Sequence, residues 1–186
     1  MKRRQFVHKA LSVSLGTLAY LPGEARQARG PGFKVPAGEG RYRGHIHVGG
    51  FNSNIIDVKI SGKDTSGGFA VFEQLNRTPG KGTPMHVHPS QDEVFYILEG
   101  EFYFQVGSDK YALKTGDTIF LPRNVPHSWI QLSSAGRTMM TFQPAGQMEE
   151  MFVAFSNLKT PPTPEEAAQL FAGHGVRIVG PPVTRD

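Results

Sequence analysis

The segment "GTPMHVHPSQDEVFYILEG", residues 82–100, decides the fold, because it places three polar side chains at fixed intervals in apolar, strand-like sequence. His86 and His88 are two residues apart, and Glu93 follows after four more positions. Successive side chains of a β-strand point to opposite faces, so both histidines of one strand point the same way. Glu93 opens a second run, and it can return to the same point if the two runs pair antiparallel through a turn at residues 89–92.

A third histidine, His127, follows the turn sequence "LPRNVP" and opens another apolar run. Three neutral imidazoles and one carboxylate suit a divalent first-row metal ion and leave positions for water or substrate. The sequence therefore predicts a metal site of His86, His88, Glu93 and His127. A strand histidine taken alone is more often a hydrogen-bonded core residue, so the prediction rests on the spacing of the set. The chain has no cysteine, which excludes thiolate ligands and disulfides.

Residues 45–145 predict an all-β domain. Apolar runs of about five residues alternate there with turn clusters, a pattern typical of an antiparallel sandwich or barrel. Gly 22 and Pro 14 in a chain of 186 residues agree with many tight turns. The preceding residues 29–44 are rich in Gly and Pro and predict an extended N-terminal arm.

Residues 146–186 predict one or two short helices followed by a tail. "AGQMEEMFVAFSNL" has the periodicity of an amphipathic helix, and "TPEEAAQLFAGHG" has stronger signals. Thr163 can cap that second helix, Pro164 suits its first turn, and the glycines that follow can end it. "VRIVGPP" predicts a strand or an extended tail.

The formal charge of +4 belongs to the front of the chain, because residues 1–28 hold five basic residues and one acidic residue. The rest is about neutral and shows no basic stripe, so we expect no nucleic-acid partner. "MKRRQFVHKALSVSLGTLAYLP" has a basic start and an apolar stretch too short to span a membrane. Its Arg3 and Arg4 resemble a twin-arginine export motif, which predicts a periplasmic or other extracytoplasmic protein. The alternative is a basic first helix of the folded domain.

The spacing of the ligand set resembles the first motif of the cupin superfamily: Gly80, five residues, His-x-His, four residues, Glu93, six residues, Gly100. A second motif resembles Gly116, five residues, Pro122, the family's glycine position two residues later at 124, and His127. The resemblance covers about residues 45–145. It implies a double-stranded β-helix, the cupin jelly roll or barrel, with one metal ion in its mouth.

The chain departs from the cupin pattern at two positions. Asn124 stands where the family usually has glycine, and Gln131 stands where it often has asparagine. Asparagine tolerates a left-handed backbone better than most residues, so we expect the turn at Asn124 to survive. Neither change removes a predicted ligand. The resemblance also admits a homodimer formed through barrel edges.

A looser resemblance is to single-domain bacterial cupins similar to quercetin 2,3-dioxygenases. It is carried by "GKDTSGGFAVFEQ", "HPSQDEVFYILEGEFYFQVG", "FQPAGQMEEMFVAF" and "GVRIVGPP". It implies a dioxygenase that cleaves a flavonol-like or other enolic small molecule, with Fe, Mn, Ni or Co bound and Zn or Cu as further options. Glu93 would be both a ligand and the acceptor of the substrate proton. Alternatives are a non-catalytic metal-site binding protein and a metal-dependent isomerase.

Several aromatic and aliphatic side chains are candidates for the wall of a substrate pocket, although core packing explains them equally well. The candidates are Phe95, Ile97, Phe104 and Trp129, together with Phe102 and Met140. A second His-x-His pair, His45 and His47, lacks a matching glutamate and third histidine, so we interpret it as structural. His174, between two glycines, is expected to contact carbonyl groups at a helix end.

Overall fold

The computed structural model describes residues 30–48 and 54–185. The export signal predicted for residues 1–28 lies outside the described residues. Residues 30–45 carry no strand or helix and lead into the first strand. The strands are β1 Ile46–Val48, β2 Asn54–Ile60, β3 Ala70–Asn76, β4 Pro84–Val87, β5 Asp92–Glu99, β6 Glu101–Val106, β7 Asp109–Lys114, β8 Thr118–Leu121, β9 His127–Gln131, β10 Gly136–Gln143 and β11 Arg177–Pro182; the helices are α1 Met148–Ser156 and α2 Pro164–Gly173.

The strands form two antiparallel sheets that face each other. The six-stranded sheet has the order β1-β2-β3-β10-β5-β8, and the five-stranded sheet has the order β11-β4-β9-β6-β7. The chain passes repeatedly from one sheet to the other, which is the connectivity of a jelly roll. The predicted all-β fold with two short C-terminal helices is therefore confirmed.

The hairpin expected between the two ligand-bearing runs is wrong, because β4 and β5 lie in different sheets. β4 pairs with β9 and β11, whereas β5 pairs with β10 and β8. The four residues between them, 88–91, can span ~13 Å when extended, and facing sheets lie ~10 Å apart. The link is thus long enough to cross the sandwich. Glu93 therefore reaches the histidines from the opposite sheet.

Alternation along the strands builds the core between the sheets. In β5 and β6 the inward positions hold Phe95, Ile97, Phe102 and Phe104, all buried. The three phenylalanine rings pack with Trp129 of β9 in tilted and edge-to-face contacts. Burying an aliphatic or aromatic side chain of this size stabilises the fold by ~1.5–3 kcal/mol. This aromatic block closes the sandwich behind the ligand-bearing end.

The two helices cover the ligand-bearing end of the sandwich. α1 packs on β1 and touches α2, with the Phe155 and Phe171 rings 5.4 Å apart. α2 begins as predicted: Thr163 accepts the Glu166 amide in a capping box, and Pro164 is the first helical residue. His174 Nδ1 lies 2.7 Å from the Leu170 carbonyl at the helix end, as expected. β11 then joins β4, so the chain after the helices completes the smaller sheet.

Candidate metal centre

Four buried side chains converge where the two sheets meet. His86 lies on β4, His88 just after it, His127 at the start of β9, and Glu93 comes from β5 of the facing sheet. One potential ligand atom from each lies within 4.8 Å of the others. Glu93 Oε2 is 3.2 Å from His127 Nε2 and 3.6 Å from His88 Nε2. The structure therefore brings the four sequence-predicted ligands together.

Each imidazole is oriented by a carbonyl acceptor on its Nδ1 side. His86 Nδ1 lies 2.8 Å from the Pro84 carbonyl oxygen, and His127 Nδ1 lies 3.0 Å from that of Val125. His88 Nδ1 lies 3.3 Å from Gln91 Oε1. A carbonyl oxygen can only accept, so each Nδ1 carries the hydrogen and donates it. The lone pair of each neutral ring is then on Nε2, the nitrogen that faces the other ligands.

Burial favours the neutral form of His86 and His88, the form that binds a metal ion. Burial lowers the pKa of His86 well below its ordinary value, and the neighbouring His127 and His88 add to the effect. Burial is also the main cause that lowers the pKa of His88. Three atoms at the centre, His88 Nε2, His127 Nε2 and Glu93 Oε2, are buried without a hydrogen-bond partner. Such atoms are costly unless something binds them, so the donor set fits a divalent cation.

A largely apolar cavity adjoins this ligand set. The volume inside it that is accessible to water is about 60 Å³, a fraction of the ~300–1,000 Å³ usual for pockets that bind drug-sized ligands. Side chains from both sheets and from the two helices form its wall. Beyond the three ligands His86, His88 and Glu93, these are Val48, Asn54, Ile56, Gln74, Thr83, Phe95, Trp129, Met140, Phe142, Met148, Met151, Phe152, Phe155 and Phe171.

The predicted pocket residues fall into two groups. Phe95 and Trp129 are in the cavity wall, as is Met140. Ile97 and Phe104 are fully buried in the core and are not among the wall residues. Ile97 is the next buried position after Phe95 on β5, and Phe104 packs against Phe95 with ring centroids 5.1 Å apart. Their contacts are those of core residues supporting the wall.

The sequence analysis missed two features of the site: the lid, formed by α1 and α2, and the residue that orients His88. Five wall residues come from α1 and α2, to which the sequence analysis gave no role in the site. Gln91 holds His88 through Oε1 while its Nε2 donates to the Pro144 and Ala145 carbonyls, at 3.1 and 2.9 Å. Gln91 thus ties a ligand to the segment that leads into α1. The signal available in the sequence was a glutamine three residues after a predicted ligand.

The two departures from the family pattern both have local explanations. Asn124 has φ of 63° and so adopts the left-handed conformation expected for a glycine position. Its backbone N–H donates to the His88 carbonyl at 3.0 Å, which ties the turn to a ligand. Gln131 is buried; its Oε1 accepts the Thr78 amide and its Nε2 donates to the Ser133 carbonyl.

Comparison with known proteins agrees with this arrangement. Residues 76–144 match the family described as "Cupin domain". An uncharacterized protein of Methanocaldococcus jannaschii is 40% identical over 48 residues, covering 26% of this chain and 38% of that protein. Quercetin 2,3-dioxygenase of Bacillus subtilis is 25% identical over 109 residues, covering 58% of this chain and 31% of that enzyme.

An oxalate-binding protein of Thermotoga maritima is 29% identical over 72 residues, covering 39% of this chain and 57% of that protein. The chain thus spans less than two thirds of the length of each of these relatives. Among the described helices, none has the length and apolarity to cross a membrane.

Proposed function

Because residues 76–144 match the cupin domain family, we propose that the chain is a metal-dependent dioxygenase acting on a small enolic molecule. One observation carries the proposal: three imidazole Nε2 atoms and a carboxylate oxygen converge, buried, beside an apolar cavity. The named activity of the Bacillus subtilis relative supports it. A divalent transition metal held by these four side chains would supply Lewis-acid and redox chemistry.

The residues of this chain have distinct parts in the proposed reaction. Glu93 accepts the proton of the incoming enol, because its buried Oε2 receives no hydrogen bond from the part of the chain that the structure describes. Phe95, Trp129 and Met140 hold the apolar part of the substrate and orient it toward the ligand set. The α1 and α2 side chains exclude water above it. Proton transfer and positioning therefore occur in one dry compartment.

The size of the cavity favours a compact substrate over a flavonol. A three-ring flavonol needs a pocket of the drug-sized class, and the free volume is about 60 Å³. A single-ring or short-chain enol requires far less displacement of the α1 side chains. Within the range of flavonol-like and enolic compounds, we therefore propose the small enols.

A metal-site protein that binds a ligand without reaction is the second candidate. The oxalate-binding relative supports it, as does the small volume of the cavity. An isomerase acting on sugars would need polar groups around the pocket, and the wall is mainly Phe, Met, Ile and Val. The apolar wall speaks against that third option.

Oxygen consumption separates the two candidates. The metal-loaded protein is mixed with single-ring hydroxypyranones, 1,3-diketones and flavonols, and dioxygen uptake is followed with an electrode. The proposal expects uptake with at least one compact enol and none with the same protein stripped of metal. Tight ligand binding without uptake for the whole panel would favour the binding protein.

We also propose that the chain is exported, on the basis of Arg3 and Arg4 before the apolar stretch. Replacing both arginines by lysine keeps the positive charge and removes the paired-arginine motif. The doubly substituted chain is expected in the cytoplasmic fraction and the unchanged chain in the periplasmic fraction. Equal distribution of the two would contradict the proposal.

A further inference from the structure

The cavity contains a polar point that the metal-ligand set does not use. Gln74 on β3 lines the cavity and is only 4% exposed, and its Nε2 has no hydrogen-bond partner among the described residues. Thr83, just before β4 in the facing sheet, also lines the cavity, and its buried Oγ1 likewise has no partner within residues 30–48 and 54–185. Leaving a buried amide or hydroxyl unpaired costs about 1–3 kcal/mol. Two such groups on one apolar cavity therefore point to a ligand oxygen.

Strand register places Gln74 well away from the ligand set. Gln74 pairs with Thr138 on β10, while Glu93 pairs with Phe142, four residues further along the same strand. Four residues of a strand extend ~13 Å. Met140 lies midway and lines the cavity. Gln74 therefore marks a polar end of the cavity wall, beyond the apolar middle, and Thr83 lines the same cavity from three residues before the ligand His86.

The charge of the wall limits what the polar end can bind. The titratable wall residues are His86, His88 and Glu93, all in the ligand set, and no lysine or arginine is among the wall residues. An anionic group at Gln74 would be buried without a countercharge, which is unfavourable. A neutral carbonyl or hydroxyl oxygen matches the amide donor of Gln74 and the hydroxyl of Thr83.

We propose that Gln74 and Thr83 recognise a neutral oxygen at the distal end of the substrate. This inference rests on the proposed function for the enol end of the same molecule. The substrate class is then a compact enol with an apolar middle and a distal hydroxyl or carbonyl group. Gln74 and Thr83 are specificity-determining residues, and neither takes part in proton transfer.

Two single-ring hydroxypyranones test the proposal, because kojic acid differs from allomaltol only by a distal hydroxyl group. Both are expected to bind through the enolone group at the ligand set. Their dissociation constants are measured on the metal-loaded protein by calorimetry and by fluorescence of Trp129, the one tryptophan of the chain. We expect kojic acid to bind roughly tenfold more tightly, the ratio that one buried hydrogen bond supports.

The variants Gln74→Met and Thr83→Val remove the polar groups with little change in shape. Each is expected to shift the ratio of the two dissociation constants toward one, while metal content stays that of the unchanged protein. Asn76→Leu is the matched control: Asn76 is buried two residues along the same face of β3 but is not a cavity residue. The control is expected to keep the preference for kojic acid.

The outcomes distinguish this inference from the proposed function. A ratio near one in the unchanged protein, a preference that survives in both Gln74→Met and Thr83→Val, or failure of both pyranones to bind overturns the inference. A preference that depends on Gln74 without dioxygen uptake keeps the inference and rejects the oxygenase. Dioxygen uptake together with a ratio of dissociation constants that does not change in Gln74→Met keeps the oxygenase and rejects the inference.

Discussion

The chain contains two His-x-His pairs, and their comparison shows what turns spacing into a site. His86 and His88 are buried, their Nδ1 atoms meet carbonyl acceptors, and a carboxylate arrives from the facing sheet. His45 and His47 are exposed at the edge strand β1. His45 Nδ1 lies 2.7 Å from Asp57, so its one short contact is an ion pair at the surface.

The difference lies in surroundings and in charge. Burial lowers the pKa of His86 and His88, whereas the hydrogen bond and charge of Asp57 raise the pKa of His45. The buried pair is biased toward the neutral form and offers Nε2 lone pairs, whereas His45 is biased toward the cation, which repels a metal ion. Two pairs with the same spacing are therefore not chemically equivalent, because their surroundings differ.

The largest expected effect is loss of metal when a ligand is removed. Glu93→Gln or His127→Ala should lower metal affinity by more than about 100-fold, because even second-layer partners are worth 10–100-fold. Elemental analysis of purified protein measures the bound metal. The matched control is His47→Ala from the exposed pair, which should keep full metal content. Retention of metal by both ligand variants would contradict the site.

The next effect concerns Gln91, the acceptor that orients His88. Gln91→Met should reduce metal affinity by about 10–100-fold, since the ring loses the partner that fixes its Nδ1–H. Competition with a chromophoric chelator measures the affinity. Gln105→Met is the control, because Gln105 Nε2 donates only to the nearby Gly107 carbonyl. Equal affinity of the two variants would show that Gln91 has no part in ordering the ligand.

A smaller effect is expected at the turn that holds the His88 backbone. Asn124 is left-handed and donates its N–H to the His88 carbonyl. Asn124→Ala should lower the free energy of unfolding by ~1 kcal/mol, because a Cβ is strained at positive φ without a local polar contact. Asn124→Gly should stay within ~0.5 kcal/mol of the unchanged protein. Urea unfolding of metal-free protein measures both, and equal losses would argue against backbone strain.

The parts of the site that sequence predicted are those that local spacing controls. Strand parity and the motif intervals identified His86, His88, Glu93 and His127 without knowledge of the sheets. Whether residues 88–91 turn back or cross over depends on β5 pairing with β10, some fifty residues away.

The lid could not be predicted from local sequence, whereas the polar end of the cavity left a signal that the sequence analysis missed. The contacts of Gln91 with Pro144 and Ala145, and of α1 with the cavity, join distant segments and leave no local pattern. Gln74 is different: it shares inward parity with Ala70 and Phe72 in β3. A glutamine that follows two apolar residues on the inward face of the strand was a usable signal.

The smallest effect is a titration that tests the charge difference between the two pairs. His45 has a raised pKa beside Asp57, so its ion pair stabilises the folded chain fully below pH 6.5 and is lost as pH rises through the folded pKa. Glu39 adds to this attraction and Lys59 opposes it. NMR titration should place the His45 midpoint above 6.5, and Asp57→Asn should lower it, because the hydrogen bond and the charge are both removed. A His45 midpoint unchanged by that substitution would mean that the surface pair is not held by Asp57, and the contrast with the buried pair would then rest on burial alone.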